Sequence, residues 1–213
     1  MPSPHSTCLV HEHLVDFQWE PGAAAEQKRA NVSRLHKAAA IRNLSPLLEV
    51  SPFANDPAGE RVAVSRLTLK DENSYFGSVT ALYHGSKVFV GGGPFTDLYR
   101  ADDQTLTTDR RLKESGPLAG FRFGNLEWGL KAQVMFYDWL VVQAIHCHRD
   151  LRGVLAKYEG FTDVDCRVPA TGICHARSCA LYVGLEAKKI VDKVIADQDL
   201  FIETLIRDPN YQE

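Results

Sequence analysis

Lys87 is the residue of this sequence best placed to do chemistry. It stands inside residues 77–99, GSVTALYHGSKVFVGGGPFTDLY, a stretch that is otherwise largely apolar, aromatic or small. Gly91, Gly92, Gly93 and Pro94 follow it. Two readings compete. A lysine can lay its methylene stem along apolar surface and keep its ammonium in water. Alternatively, burial among apolar groups lowers the amine's pKa and frees a lone pair for attack on an electrophilic carbon. Pattern alone favours the solvated reading, because most lysines are exposed. The other reactive side chains carry less. His11, Glu12 and His13 lie too close together for two ligands on one helix face, which needs i and i+4. His146, Cys147 and His148, with Cys174 and His175 further on, lack the CxxC or HxxxH spacing of structural zinc. No metal site and no cofactor are expected. GxSxG, Walker and GxGxxG patterns are absent, which removes the usual serine-hydrolase and nucleotide signatures. The triple glycine could bring backbone N–H groups to a phosphate, although such a run is more often only a flexible turn.

The elements that must position these groups are mainly helical. Residues 23–43 are rich in helix formers, with Val32, Leu35 and Ile41 at near-helical spacing, and Pro46 lies just beyond. A short strand is expected at 47–51, a loop at 52–60, a strand at 62–69 and a polar turn at 71–74. Composition permits a helix over 78–90, which would set Tyr83 one turn before Lys87 and Ser86 beside it; the glycines would end it. Residues 97–114 are polar, and 116–124 read as a loop. Residues 125–146, NLEWGLKAQVMFYDWLVVQAIH, are apolar all round and predict a central helix with Trp128 at its start. Asp138 in its middle needs a hydrogen-bond partner if buried. A short helix at 150–157, a strand or loop at 161–165, a turn at 169–172 and a broken helical region over 175–206 complete the chain. Within residues 1–22 the piece HLVDFQW could form a strand.

With 213 residues, a single α+β domain, 1–213, with an irregular segment at 1–22, is the economical organisation. A net charge of -3 argues against nucleic-acid capture by the whole surface, though not against a local basic groove. Five cysteines without a CxxC read as reduced thiols, and no run approaches 18 apolar residues. The opening MPSPHSTCLVHEH has no apolar signal core, so a cytoplasmic protein without membrane association is expected.

Several segments, in order, resemble the NADAR family, and in particular the branch found as antitoxins beside DarT-type DNA ADP-ribosyltransferases. They are LLEVS (47–51), VAVSRLTL (62–69), SVTALYHGSKVFVGGGPFTDLY (78–99), RRLKESGPLAGFRFGNLEW (110–128), MFYDWL (135–140), EGFTDVD (159–165) and CHARSCALYVGL (174–185). The resemblance implies a compact YbiA-like domain, mostly helical with a little strand, and hydrolysis of N-glycosidic bonds. The antitoxin branch resembles enzymes that remove ADP-ribose from guanine in DNA, so the implied partners are ADP-ribosylated DNA, ADP-ribose as product, and a DarT-type toxin. The family's reactive lysine falls on Lys87. Its F-T-D aspartate falls on Asp163, its tryptophan on Trp128 as a stacking wall, and its A-R-S arginine on Arg177, suited to a phosphate. Glu49, Ser51 and Ser65 match polar positions that approach the pocket. Tyr83 and Phe161 would add ring surface, and Gly92 and Gly93 backbone donors.

One departure stands out. Seven residues before the lysine, where the family has a glutamate in an S-V-E pattern, this sequence has Thr80. A threonine cannot act as a carboxylate acid or base. Either Asp163, Glu49 or Glu127 does that work, or the chain is weakened and acts by binding ADP-ribose or the toxin. A less favoured reading is an N-glycosidase for small nucleotide-like metabolites.

Overall fold

The computed structural model describes residues 8–70, 75–166 and 172–211. Residues 11–20 are irregular, so the segment HLVDFQW is not a strand. Leu9 and Val10 are nevertheless buried, and the Leu9 N–H donates to the Asp208 carboxylate at 2.7 Å, tying this end of the chain to the other. Helix α1 (Ala25–Ile41) forms where helix formers predict it, and Asn43, in the left-handed region at φ 59°, turns the chain out of it. Strand β1 (Leu47–Glu49) follows.

The next stretch departs from expectation. Residues 57–62 are helical rather than loop and strand: in α2 (Pro57–Val62) the Asp56 carboxylate caps the Ala58 N–H and proline occupies the first position. Gly59 lets α2 lie on β1, since a Cβ there would stand 1.9 Å from the Glu49 carbonyl oxygen. Strands β2 (Thr68–Lys70) and β3 (Tyr75–Ser78) pair antiparallel. The turn expected at 71–74 lies outside the described residues, as does most of that expected at 169–172.

Helix α3 (Val79–Gly85) starts at the Ser78 cap and ends sooner than composition suggests. Gly85 packs against the Tyr99 ring so closely that a Cβ would meet it at 2.7 Å. The chain then becomes strand β4 (Lys87–Phe89), which suits Val88 and Phe89 better than a helix does. Lys87 is therefore the first residue of a strand. A 3₁₀ turn (Thr96–Arg100) leads to short helices α4 (Asp103–Thr108) and α5 (Arg111–Glu114).

The loop expected at 116–124 is strand β5 (Leu118–Phe123), and the start of the expected long helix is strand β6 (Leu126–Gly129). They form a hairpin across the two-residue turn Gly124–Asn125, with Gly124 at φ 57°. The sheet order is β4-β5-β6, with Lys87 opposite Phe121 and Phe121 opposite Trp128.

After a 3₁₀ turn (Leu130–Ala132), helix α6 (Gln133–Cys147) is the central helix. Phe136, Leu140, Val141, Val142, Ala144 and Ile145 on it are fully buried. Burial of a side chain as large as Phe or Leu contributes roughly 1.5–3 kcal/mol. Asp138 is buried and has its partners: the Ser178 hydroxyl and, at 2.7 Å, the Tyr211 hydroxyl. Helix α7 (Arg149–Leu155) precedes strand β7 (Gly160–Thr162), which pairs in parallel with β1. Helices α8 (His175–Ala187), α9 (Val191–Ala196) and α10 (Gln198–Ile206) close the fold, with α8 packed on α6. No helix among the described residues is long and apolar enough to cross a membrane.

Candidate functional site

A cavity of about 710 Å³ opens where the end of β1, the start of α3, the start of β4, the α4–α5 segment and the loop after β7 converge. Ser51, Ser65, Thr80, Lys87 and Asp163 all line it. His84, Asp103, Thr107, Lys113 and Asp165 complete its polar wall, and Val50, Pro52, Val64, Leu106 and Leu112 its apolar wall. Ligand pockets run roughly 300–1,000 Å³, so the space suits a molecule of nucleotide size.

Lys87 stands half-buried at the junction of α3 and β4. Its Nζ lies 5.2 Å from the centroid of the Tyr83 ring and 3.1 Å from His84 Nδ1. No carboxylate among the described residues comes within ion-pair distance of it. Burial holds its amine below the ordinary lysine range. The same burial, with the Lys87 charge second, pushes His84 down to about 4. His84 is thus neutral at physiological pH, and its Nδ1 accepts from the ammonium, which assigns the ring proton to Nε2. Tyr83 lies beneath this pair, 8% exposed, among Phe121, Phe136 and Tyr137.

Asp163 arrives through the parallel pairing of β1 and β7. The Val50 N–H donates to the Thr162 carbonyl at 2.8 Å, extending the ladder to the edge of the cavity. Glu49 fixes the next residues: one carboxylate oxygen accepts from the Thr162 hydroxyl at 2.6 Å and the other from the Val164 N–H at 2.8 Å. Asp163 then accepts from the Asp165 N–H in a local turn. Burial raises the Asp163 carboxyl above its ordinary pKa, and the Asp165 charge adds to the rise. Glu49 is also raised by burial, but it is 2% exposed, has both oxygens occupied and does not line the cavity. Ser51, bonded to Glu49 and accepting from the Phe53 N–H, does.

Thr80 sits one helical turn before His84. Its Oγ1 is buried without a hydrogen-bond partner. A hydroxyl left so loses its hydration with nothing in exchange.

The remaining candidates lie elsewhere. Trp128 is 2% exposed and packs against Phe136, Trp139 and Phe201. Its row of the sheet explains this: Phe121 stands between Trp128 and Lys87, and two strand spacings amount to about 10 Å. Arg177, on α8, stacks at 4.1 Å on the Tyr211 ring and pairs with Glu12. Phe161 packs on the core from β7, away from the cavity lining. The Gly91 and Gly92 N–H groups are spent on the carbonyls of Ser115 and Phe89, so this pair offers no anion cradle. Gly93, at φ 99°, runs so close to the Lys87 carbonyl that a Cβ would stand 2.3 Å from it. Glu127 is in an exposed pair with Arg122. Among the described residues no group of His, Cys, Asp and Glu could hold a metal ion.

His84 and Lys113 escaped the sequence reading. The Gly85-Ser86 pair was the available signal: a helix stopped there brings His84 back beside Lys87.

No curated protein matches the chain. The family described as DarT1-associated NADAR antitoxins does, over residues 1–213, which extends the likeness of the separate segments to the whole sequence; the chain belongs to that family.

Proposed function

We propose that this protein hydrolyses the N-glycosidic bond between ADP-ribose and guanine in DNA and so reverses the modification made by a DarT-type toxin. The observation that carries the reading is Lys87: an amine with lowered basicity and no carboxylate partner among the described residues, opening onto a nucleotide-sized cavity that it shares with Asp163. Cleavage at the ribose C1″ builds oxocarbenium character on the sugar. Lys87 attacks that carbon and forms an imine with the ring-opened ribose, which water later releases. Asp163 supplies the proton for the departing base, consistent with its raised pKa. Lys113, on the cavity rim, faces the pyrophosphate in place of Arg177.

The test uses an oligonucleotide carrying ADP-ribosylated guanine. Release of ADP-ribose by the wild-type protein and its loss in Lys87→Ala are expected; undiminished release in Lys87→Ala would remove Lys87 from the mechanism. Comparing modified DNA with free nucleotides distinguishes a DNA enzyme from a small-metabolite glycosidase.

One observation favours a second reading, an antitoxin that binds ADP-ribose without turnover. Where the family carries glutamate, Thr80 offers only an unpartnered hydroxyl. Tight binding with no product over long incubation would support it, and Thr80→Glu should then restore or raise release.

A further inference from the structure

We infer that His84 accepts the proton that Lys87 sheds as its nitrogen bonds to the sugar carbon. The inference rests on the glycohydrolase reading for its substrate, but its argument is geometric. An ammonium has no lone pair, so an attacking lysine must hand a proton to something within reach. Among the described residues, the hydrogen-bond acceptor at the Lys87 amine is His84 Nδ1, at 3.1 Å. Tyr83 presents its ring to the amine and is pushed up to about 12, so it is no base there. Thr80, one turn before His84, cannot hold a charge-compensating proton. His84 lines the same cavity as Lys87, which gives the proton a route to solvent.

The step balances. The Lys87 Nζ–C1″ bond forms, and the C1″–N bond to guanine breaks with its electron pair going to the base. The base takes a proton from Asp163, and the proton leaving Nζ goes to His84 Nδ1. Burial and the Lys87 charge keep His84 neutral beforehand. Between loss of that proton and formation of the Nζ–C1″ bond, Lys87 is a neutral amine and the second of these causes is absent, so the imidazole is then a better base; the bonded nitrogen is a secondary ammonium. The other ionisable groups on this cavity are Asp163 and Asp165 after β7, Asp103 on α4 and Lys113 on α5. All are common to wild type and variants.

Two readouts are needed across about pH 6–9: ADP-ribose release from the modified oligonucleotide, and cyanoborohydride trapping of free ADP-ribose, through its open-chain aldehyde, on Lys87. In the wild type, trapping should vary by no more than about threefold over that range. In His84→Ala and His84→Gln it should fall at least about tenfold near pH 6 and climb about tenfold per pH unit, because only hydroxide then removes the proton. Glutamine can accept a hydrogen bond but not carry a proton, so rescue by His84→Gln at every pH would reduce His84 to a holder and overturn the inference. So would a wild-type profile that itself climbs tenfold per unit, a result that needs no variant to fold. Absent wild-type trapping overturns it as well. Trapping with the expected split, but no release from DNA, would keep the role of His84 and reject the proposed substrate.

Discussion

Glu49 separates a holding role from a catalytic one. It is 2% exposed, and its two oxygens accept from the Thr162 hydroxyl and the Val164 N–H. Glu49→Ala would strand the Val164 N–H and the Ser51 hydroxyl, which also bonds Glu49, whereas the Thr162 hydroxyl can turn to His36. Each orphaned donor costs about 1–3 kcal/mol, so the variant should lose about 2–6 kcal/mol, a large share of a typical domain's stability. Glu49→Gln should be far milder, at about 1 kcal/mol, for a reason visible in the next bond out. His36 Nε2 lies 2.8 Å from Thr162 Oγ1. A glutamine amide can donate to Thr162, whose hydroxyl then turns to donate to His36, with the imidazole proton moving to Nδ1. Denaturant titrations would measure both costs. Activity assayed well below the unfolding midpoint would test the role: Glu49→Gln should retain most of the ADP-ribose release if Glu49 only holds the Asp163 loop. A pH series adds a check. Burial raises the Glu49 carboxyl, so its contribution is complete below the ordinary glutamate value and is lost as pH climbs through the raised one. Glu49→Gln should therefore gain on the wild type as pH rises. Glu49→Ala within about 0.5 kcal/mol of wild type, or Glu49→Gln folded but inactive, would refute the reasoning.

Three further outcomes are expected. Lys87→Met removes a partly desolvated cation that has no carboxylate partner among the described residues while keeping the stem, so denaturation should show unchanged or higher stability, by about 1 kcal/mol at most, alongside lost release. Thr80→Val replaces a buried unpartnered hydroxyl by a methyl of the same shape, and its thermal midpoint should hold or rise. Buried His175, pushed down to about 4, accepts from the Tyr137 hydroxyl at Nδ1 and donates from Nε2 to the Val62 carbonyl. Its contribution is complete above the ordinary histidine pKa and is lost as pH falls from there through about 4; titrating stability against pH in His175→Gln should show a shallower acid limb than wild type.

What the sequence revealed followed the strength of local signals. The helix at 25–41 and the buried helix ending at Cys147 stood out, because helix formers and an all-round apolar run are local properties. The hairpin at 118–129 did not, although FRFGNLEW alternates about a Gly-Asn turn; the apolar run beyond it drew Trp128 into the helix. Lys87, Thr80, Ser51, Ser65 and Asp163 do meet at one cavity, and it was the ordered set of motifs, rather than periodicity, that named them together. Arg177 suits a phosphate by type alone, and only tertiary packing puts it on Tyr211. Lys113 comes from α5, a single turn too short to carry a periodic signal.

The pairing of β1 with β7 also sets a clock. Glu49 and Thr162 are 113 positions apart, and Lys87 lies between them. During synthesis Lys87 emerges well before the Asp163 loop, and β1 waits without its partner strand. At about 5–20 residues per second, the roughly 75 residues from the end of β4 to that loop take about 4–15 s to translate. Any activity that needs Asp163 and Lys87 on one cavity waits until β7 has emerged and paired with β1.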